Sequence, residues 1–314
     1  MLKISIITPC YNEEENIAAC ITETRSVLSK ISTHYEYEHI FSDNASTDKT
    51  TTRIKEFAKT DSRIKLLVNS RNIGPFRNMW SALKYSSGEI IIPMLPADLQ
   101  DPPEVILKFI TEWEKGYLIV FGIRANRTER FILKTARSVY YRILHKFAED
   151  PMPLHAGEFL LCDRKVLNSI IEIDDEYPYI RGLIARTGVK STSIPYAWQE
   201  RKRGKSKNSY YHLLDQAING FVSTSRAPAR IIWAFGMLLS ILSTVIPVIV
   251  LLTIGLTSKE FEMNGVIFAN IVVFFLGIQM FFLGIIGEYV LSIHGQVRKI
   301  PNIFHTEKVN FEDR

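Results

Sequence analysis

Carboxylates and amides gather in three short stretches of the chain, each placed directly after a run of apolar residues. These are Pro9-Cys10-Tyr11-Asn12-Glu13-Glu14-Glu15, then Ser42-Asp43-Asn44-Ala45-Ser46-Thr47-Asp48, then Pro96-Ala97-Asp98-Leu99-Gln100-Asp101-Pro102-Pro103. Hard oxygen donors of this kind suit a ribose, a base edge, or a divalent cation that bridges a diphosphate. None of the three carries a glycine-rich dinucleotide fingerprint or a Walker-type phosphate loop, which argues against a dehydrogenase or a P-loop enzyme. Singly each is weak, because Asp48 equally serves to cap a following helix and Pro102-Pro103 to start one. A fourth stretch, Arg201-Lys202-Arg203-Gly204-Lys205-Ser206-Lys207, is the densest charge run in the chain. It reads either as a loop that closes on phosphates, with Arg in a forked grip and Ser donating, or as a solvated loop against anionic lipid.

For these stretches to converge, the elements between them must bring them to one edge. Short β-branched runs at 3–9, 39–43, 64–69, 89–95 and 118–122 alternate with helical patterns at 14–32, 50–59, 76–85 and 103–115. That β-α-β-α order predicts an α/β fold with a mostly parallel, two-sided sheet. Ligands of such sheets sit beyond the C-terminal ends of the strands, where the acidic stretches fall.

The remainder of the chain has a different character. Its 314 residues carry a net charge of +5. A mean hydropathy of +0.04 beside 23% charged residues requires that apolar residues be segregated. No formal charge falls between Arg230 and Lys259, nor from Met263 to Gly287. Each run exceeds the roughly 20 residues that cross a bilayer as a helix, so transmembrane helices are expected at 231–256 and 267–293. The loop at 257–266 is poor in positive charge, whereas Arg226 and Arg230 precede the first span and Arg298 and Lys299 follow the second. This asymmetry places residues 1–208 and the tail at 294–314 in the cytoplasm. The first residues have no apolar core of a signal peptide. Residues 131–147 read as a basic amphipathic helix, either in the membrane interface or packed on the domain, and 209–230 as a weaker juxtamembrane helix. Cys10, Cys20 and Cys162 lack metal-ligand spacing and read as core thiols in a reducing compartment.

Taken together, the order Tyr-Asn-Glu-Glu, Ser-Asp-x-x-Ser and Ala-Asp-Leu-Gln-Asp-Pro-Pro resembles the inverting family 2 glycosyltransferases. The polyprenyl-phosphate glycosyltransferases, which include dolichol-phosphate mannose synthase and bacterial undecaprenyl-phosphate glucosyltransferases, are the most similar group. The likeness continues through Gly122-Ile123-Arg124, Ala156-Gly157-Glu158-Phe159, Arg201 with Gly204-x-Ser206-Lys207, and Gly287-Glu288-Tyr289 after the paired apolar runs. It implies a GT-A, Rossmann-like nucleotide-sugar domain that moves one sugar to a polyprenyl phosphate such as undecaprenyl phosphate at the inner membrane. The implied partners are a nucleotide-sugar, with UDP favoured, the lipid, and further copies of the chain in a homo-oligomer, a tetramer among them. No nucleic-acid partner is expected.

The same likeness assigns roles. Pro9, Tyr11, Asn12, Glu14, Asp43 and Asp98 would bind the nucleotide-sugar. Arg124, Arg201, Ser206 and Lys207 would hold phosphates, and Asp98 and Gln100 would ligate Mg2+ or Mn2+. Asp98, Glu158 and Arg124 would serve catalysis, although Glu158 stands where the family has Asp and a structural role fits it equally. Neighbouring His155 is read as structural. Two departures stand out: Pro96 replaces the first acid of an Asp-x-Asp pair, and Asn44 the second acid of an Asp-Asp pair. A proline side chain cannot ligate a cation, so the metal site is poorer or differently built. A nucleotide-sugar binder that has lost catalysis is therefore a second reading. A polysaccharide synthase is disfavoured by having only two apolar spans and no Gln-x-x-Arg-Trp motif.

Overall fold

The computed structural model describes residues 1–125, 156–173, 178–201, 265–298 and 303–311, with isolated helical positions between Gly236 and Leu252. The first half alternates as the apolar pattern requires. Strand β1 (Leu2–Cys10) leads to α1 (Ile17–Ser29), β2 (Tyr35–Asp43) to α2 (Thr50–Thr60), β3 (Ile64–Asn69) to α3 (Pro75–Leu83), and β4 (Ile90–Ile92) to α4 (Val105–Glu114). Then come β5 (Ile119–Ala125), β6 (Ala156–Asp163), α5 (Arg164–Ile170), α6 (Ile180–Arg186), β7 (Ser191–Ala197), α7 (Gly265–Arg298) and β8 (His305–Val309).

The eight strands form one sheet in the order β7-β5-β6-β4-β1-β2-β3-β8. β1 pairs in parallel with β2 and β4, β2 with β3, and β5 with β7. Only β6 and β8 run against the others. β1 is apolar on both faces because helices cover both: Ile4, Ile6 and Ile7 are fully buried. Helix α1 turns Ile17, Cys20, Ile21, Val27 and Leu28 inward at three- and four-residue spacing. Gly74, at φ +84°, and Pro75 at the first helical position turn the chain sharply into α3. All three cysteines are buried, as core thiols would be.

The final strand departs from the expected boundary at residue 208. β8 comes from the segment read as a tail, and it closes the open edge of β3 antiparallel, with Leu66 opposite Val309. Asn310 fastens the far end by donating to the carbonyls of Ala58 and Ile64 at 2.9 and 2.8 Å. Phe311 packs edge-on to Tyr85.

Among the described residues, one helix is long and apolar enough to cross a membrane. It is α7, whose most hydrophobic window, Phe274–Leu291, has none of its residues buried. Leu238, Ile241, Val245, Ile249 and Leu252 are helical and exposed, and the rest of the expected 231–256 span lies outside the described residues. The helices expected at 131–147 and 209–230 also lie outside them.

One buried acid supplies a stability prediction. Burial alone would raise the Glu38 carboxyl, but bonds from Lys65, Ser5 and the Ser87 backbone N–H override it and hold the pKa at about 2. A folded-state value below that of the unfolded chain contributes stability above roughly pH 4.3 and loses it as pH falls toward 2, on the order of 3 kcal/mol in full. Urea midpoints followed from pH 5 to 2.5 should therefore fall more steeply for the wild type than for Glu38→Gln. Parallel curves would contradict this.

Candidate functional site

Three of the strand-to-helix connections share an unusual backbone feature. Asn12, Ala45 and Leu99 have φ of +52°, +61° and +55°, and they lie just beyond β1, just beyond β2, and in the connection after β4. Left-handed backbone costs a non-glycine residue roughly 1–2 kcal/mol and persists where the surroundings impose it, often at ligand sites.

The first two connections lock onto each other. The Asn12 N–H donates to Ser46 Oγ at 2.8 Å, and the Asn12 side-chain oxygen accepts from the Thr47 N–H at 2.7 Å. Asp48 Oδ1 accepts from the Thr50 N–H at 2.9 Å, so of its two sequence readings the helix-capping one is realised. Glu14 accepts from the Lys49 N–H at 3.0 Å, which places it at the start of α2. Pro9 lies in β1 beside Ser42 of β2, and Tyr11 is half-buried at the strand's end. Asp43 is fully buried and accepts from the Ser46 N–H at 2.9 Å, and burial pushes its carboxyl above the usual range.

Asn44 shows why an amide stands where the resembling family has an acid. Its Nδ2 donates to Asn72 Oδ1 at 2.8 Å, while its Oδ1 accepts from the Ile73 N–H at 2.9 Å. Asn72 Oδ1 also accepts from the Gly74 N–H at 3.0 Å, so the Asn72 amide cannot reverse to suit a carboxylate. Asn44→Asp should set two acceptors against each other and destabilise the protein by about 1–3 kcal/mol, read as a lowered urea midpoint. An unchanged midpoint would contradict the assigned bond.

The third connection carries Asp98. Its Oδ1 accepts from the Gln100 N–H at 3.2 Å, closing the turn that Leu99 makes. The segment after β7 lies across this turn: the Gln199 N–H donates to the Gln100 carbonyl at 2.9 Å, and Gln100 Nε2 reaches the Gln199 carbonyl at 3.5 Å. That pairing delivers Arg201, whose guanidinium lies 2.6 Å from Glu13 Oε2 and 3.5 Å from Asp98 Oδ2. Burial raises the Asp98 carboxyl, against the lowering pull of the Gln100 N–H and Arg201.

Deeper in, Arg124 grips Asp101 in a forked pair, Nε to Oδ1 at 2.9 Å and a terminal nitrogen to Oδ2 at 2.6 Å. The Tyr196 hydroxyl donates to the same Asp101 Oδ1 at 2.6 Å. The guanidinium expected to hold phosphate thus pairs with a buried carboxylate. Glu158, in β6, accepts an ion pair from Arg181 at 3.2 Å through Oε1, while Oε2 is buried with no hydrogen-bond partner. Burial raises this carboxyl, partly offset by Arg181 and Arg124. Ser206 and Lys207 lie outside the described residues.

The structure thus joins Asn12 and Asp43 through the Ser46–Thr47 turn, and Asp98, Gln100 and Arg201 through the Gln100–Gln199 pairing. It commits Glu14 to α2 and Arg124 to Asp101. Sequence reasoning passed over Glu13, Asp101, Tyr196 and Arg181. Asp101 was visible inside the third acidic stretch, whereas nothing in the sequence joins Tyr196 or Arg181 to their partners. Among the described residues no group of three or more His, Cys, Asp or Glu side chains could hold a metal ion. Asp98 and Gln100 offer hard oxygen donors beside a position that already stabilises one positive charge, that of Arg201. They fit a divalent cation whose shell is completed by diphosphate oxygens and water.

Acidic connections of this kind, at the ends of a mostly parallel sheet, belong to a known class. The glycosyl transferase family 2 pattern matches residues 5–171. The chain is a member of that family and a glycosyltransferase. It is 31% identical over 307 residues to an uncharacterized glycosyltransferase, YkcC, of Bacillus subtilis, covering 96% of this chain and 92% of that one. It is 30% identical over 235 residues to a prophage bactoprenol glucosyl transferase homolog of Escherichia coli, covering 74% and 76%. It is 25% identical over 304 residues to the undecaprenyl-phosphate 4-deoxy-4-formamido-L-arabinose transferase of Enterobacter, covering 96% and 92%. In fold it is similar to glucosyl-3-phosphoglycerate synthase of Mycobacterium tuberculosis, solved with Mn2+, UDP and phosphoglyceric acid. The TM-score is 0.51 at 20% identity, covering 71% of this chain and 78% of that one.

Proposed function

We propose that this glycosyltransferase moves a single sugar from a nucleotide-sugar, with UDP the favoured nucleotide, to a membrane polyprenyl phosphate, inverting the anomeric centre. The observation that carries the reading is that acid-bearing connections at the sheet ends and a 34-residue apolar helix with a fully unburied window occur in one chain. A water-soluble donor and a bilayer-bound acceptor require that combination. Relatives named for undecaprenyl-phosphate and bactoprenol acceptors support it.

The β8 strand adds a parity argument for two crossings. If α7 spans the bilayer, its start and the catalytic sheet lie on opposite sides, because β8 follows α7 and belongs to that sheet. On this reading the chain would cross once more between Arg201 and Gly265, and the uncharged run at 231–256 has sufficient length for it. The basic flanks favour the cytoplasmic face of the inner membrane for the sheet.

The acceptor is a phosphate monoester with a second pKa of about 6, already largely ionised at neutral pH, so no strong general base is needed. The work left to the protein is positional and electrostatic. Asp43 and Asn12 would take the base and ribose, while Arg201 with Ser206 and Lys207 would hold the diphosphate. Asp98 and Gln100 would hold a Mg2+ or Mn2+ ion, which when bound offsets charge on the departing diphosphate. Glu158, whose Oε2 has no hydrogen-bond partner, would accept a hydrogen bond from a hydroxyl of the sugar. Assembly into a homo-oligomer through the membrane helices belongs to the same proposal.

Two experiments test it. Purified protein incubated with a panel of nucleotide-sugars should release nucleotide only when undecaprenyl phosphate is present. Release that ignores the lipid would overturn the acceptor assignment. Because the native cysteines are buried, a cysteine at Asn264 should label from outside intact cells with an impermeant reagent and one at Glu36 should not. The reverse sidedness would overturn the topology.

A further inference from the structure

We propose that Arg201 is an exchangeable counter-ion, which pairs with Glu13 and Asp98 and passes to the donor's diphosphate when nucleotide and cation bind. The inference rests on the donor chemistry proposed above and adds Glu13 to it as a positioning residue. Glu13 and Asp98 come from different connections, after β1 and after β4, and both are nearly buried, with side-chain exposures of 15% and 11%. Arg201, 17% exposed, stands between them and offers a separate nitrogen to each. The shorter contact is the one to Glu13, at 2.6 Å, and the longer, at 3.5 Å, is to Asp98.

That asymmetry suits an exchange. Two nearly buried carboxylates facing one region repel unless a cation lies between them, and the protein supplies its own. Arg201 neutralises Asp98 without saturating it, so an entering divalent ion competes with a guanidinium that Glu13 holds in place. Glu13 is itself fixed, because its Oε2 accepts from Asn16 Nδ2 at 2.6 Å at the start of α1. Phosphate geometry matches the guanidinium fork at least as well as a single carboxylate oxygen does. With diphosphate and cation bound, Asp98 would hold the cation and Arg201 the phosphate. The two ligands then bind with positive coupling, since each removes part of the cost of the other. With Pro96 in place of an acid, this coupling lets a site with a single motif carboxylate select cation and nucleotide together.

The test is calorimetric titration of Mn2+ into the full-length protein, with and without UDP, for wild type and Arg201→Gln. In wild type, UDP should tighten Mn2+ by about tenfold or more. In Arg201→Gln, Mn2+ alone should bind several-fold tighter than to wild type, and the enhancement by UDP should shrink. Mn2+ binding to the nucleotide-free variant that is unchanged or weaker would overturn the exchange. Glu13→Gln keeps an acceptor for Asn16 and supplies a second arm, with UDP titrated in EDTA. It should tighten UDP in the wild-type background and have no effect in the Arg201→Gln background. An equal effect in both backgrounds would mark simple charge repulsion and overturn the parking role. Wild-type UDP binding separates the two failures: if UDP binds and the variants behave independently, the exchange alone falls, whereas if no nucleotide binds at all, the donor assignment falls.

Discussion

Asp98→Ala should lower lipid-dependent turnover by at least about a hundredfold, the scale on which losing one well-placed electrostatic stabiliser acts. Asp98 is the only acid left in the motif, because Pro96 offers no side-chain ligand and Gln100 offers only a neutral oxygen. Its removal takes away the anionic ligand of the proposed cation and one of the two carboxylates that hold Arg201. The fold should survive, since the lost protein contacts are a 3.2 Å bond from the Gln100 N–H, worth about 1 kcal/mol, and the long 3.5 Å pair with Arg201, which Glu13 still holds. Asp98→Asn separates the two roles: it keeps an acceptor for that N–H and should lose nearly as much turnover. Steady-state nucleotide release beside urea melts of both variants provides the check. Turnover within tenfold of wild type in Asp98→Asn would remove the carboxylate from the mechanism.

The largest stability effect belongs to Asp101. It is 2% exposed and holds the forked Arg124 pair as well as the Tyr196 hydroxyl. Asp101→Asn leaves a guanidinium without its counter-charge in a low-dielectric setting, and breaking such a pair from one side costs about 3–5 kcal/mol. The urea midpoint should fall accordingly. Tyr196→Phe removes a neutral hydroxyl that donates to Asp101 and accepts from Arg124 Nε at 3.3 Å, and should cost about 1–2 kcal/mol. Equal losses in the two variants would mean that the charge on Asp101 is not what stabilises the cluster. Because Arg124 of β5 and Tyr196 of β7 meet Asp101 just before α4, the cluster ties two strands to the loop that bears Asp98. Turnover of the folded fraction should therefore fall as well.

These two acids mark where sequence reading succeeds and where it stops. Strands β1 to β5 were legible as short β-branched runs and helices α1 to α4 by apolar residues at three- and four-residue spacing, each set between polar connections. The Ile64–Asn69 strand falls where its pattern places it. β6 was noticed only as a motif around Glu158, since a carboxylate directly before Phe159-Leu160-Leu161 masks its strand pattern and its antiparallel insertion between β4 and β5 leaves no local trace. β8 was illegible for a related reason: His305-Thr306-Glu307-Lys308-Val309 is a polar edge strand whose partner lies more than two hundred residues away.

The acids of the site were legible as residues but not as pairs. Asp43 and Asp98 announce themselves by following strands. That Asp101 is spent on Arg124, and that Glu13 rather than Glu14 faces Arg201, depends on side-chain directions which spacing does not fix. The Asn44 departure looked like a lost acid. The structure shows a gained donor, required by the Asn72 carbonyl oxygen.

The central claim is transfer of one sugar to a polyprenyl phosphate with inversion, and the lipid product tests it most directly. Full-length protein, undecaprenyl phosphate and the nucleotide-sugar that supports nucleotide release should yield a lipid heavier by a single sugar. In that product the anomeric proton coupling should show the configuration opposite to the donor's. A lipid carrying several sugars, a product with retained configuration, or nucleotide release with no glycolipid would contradict the account.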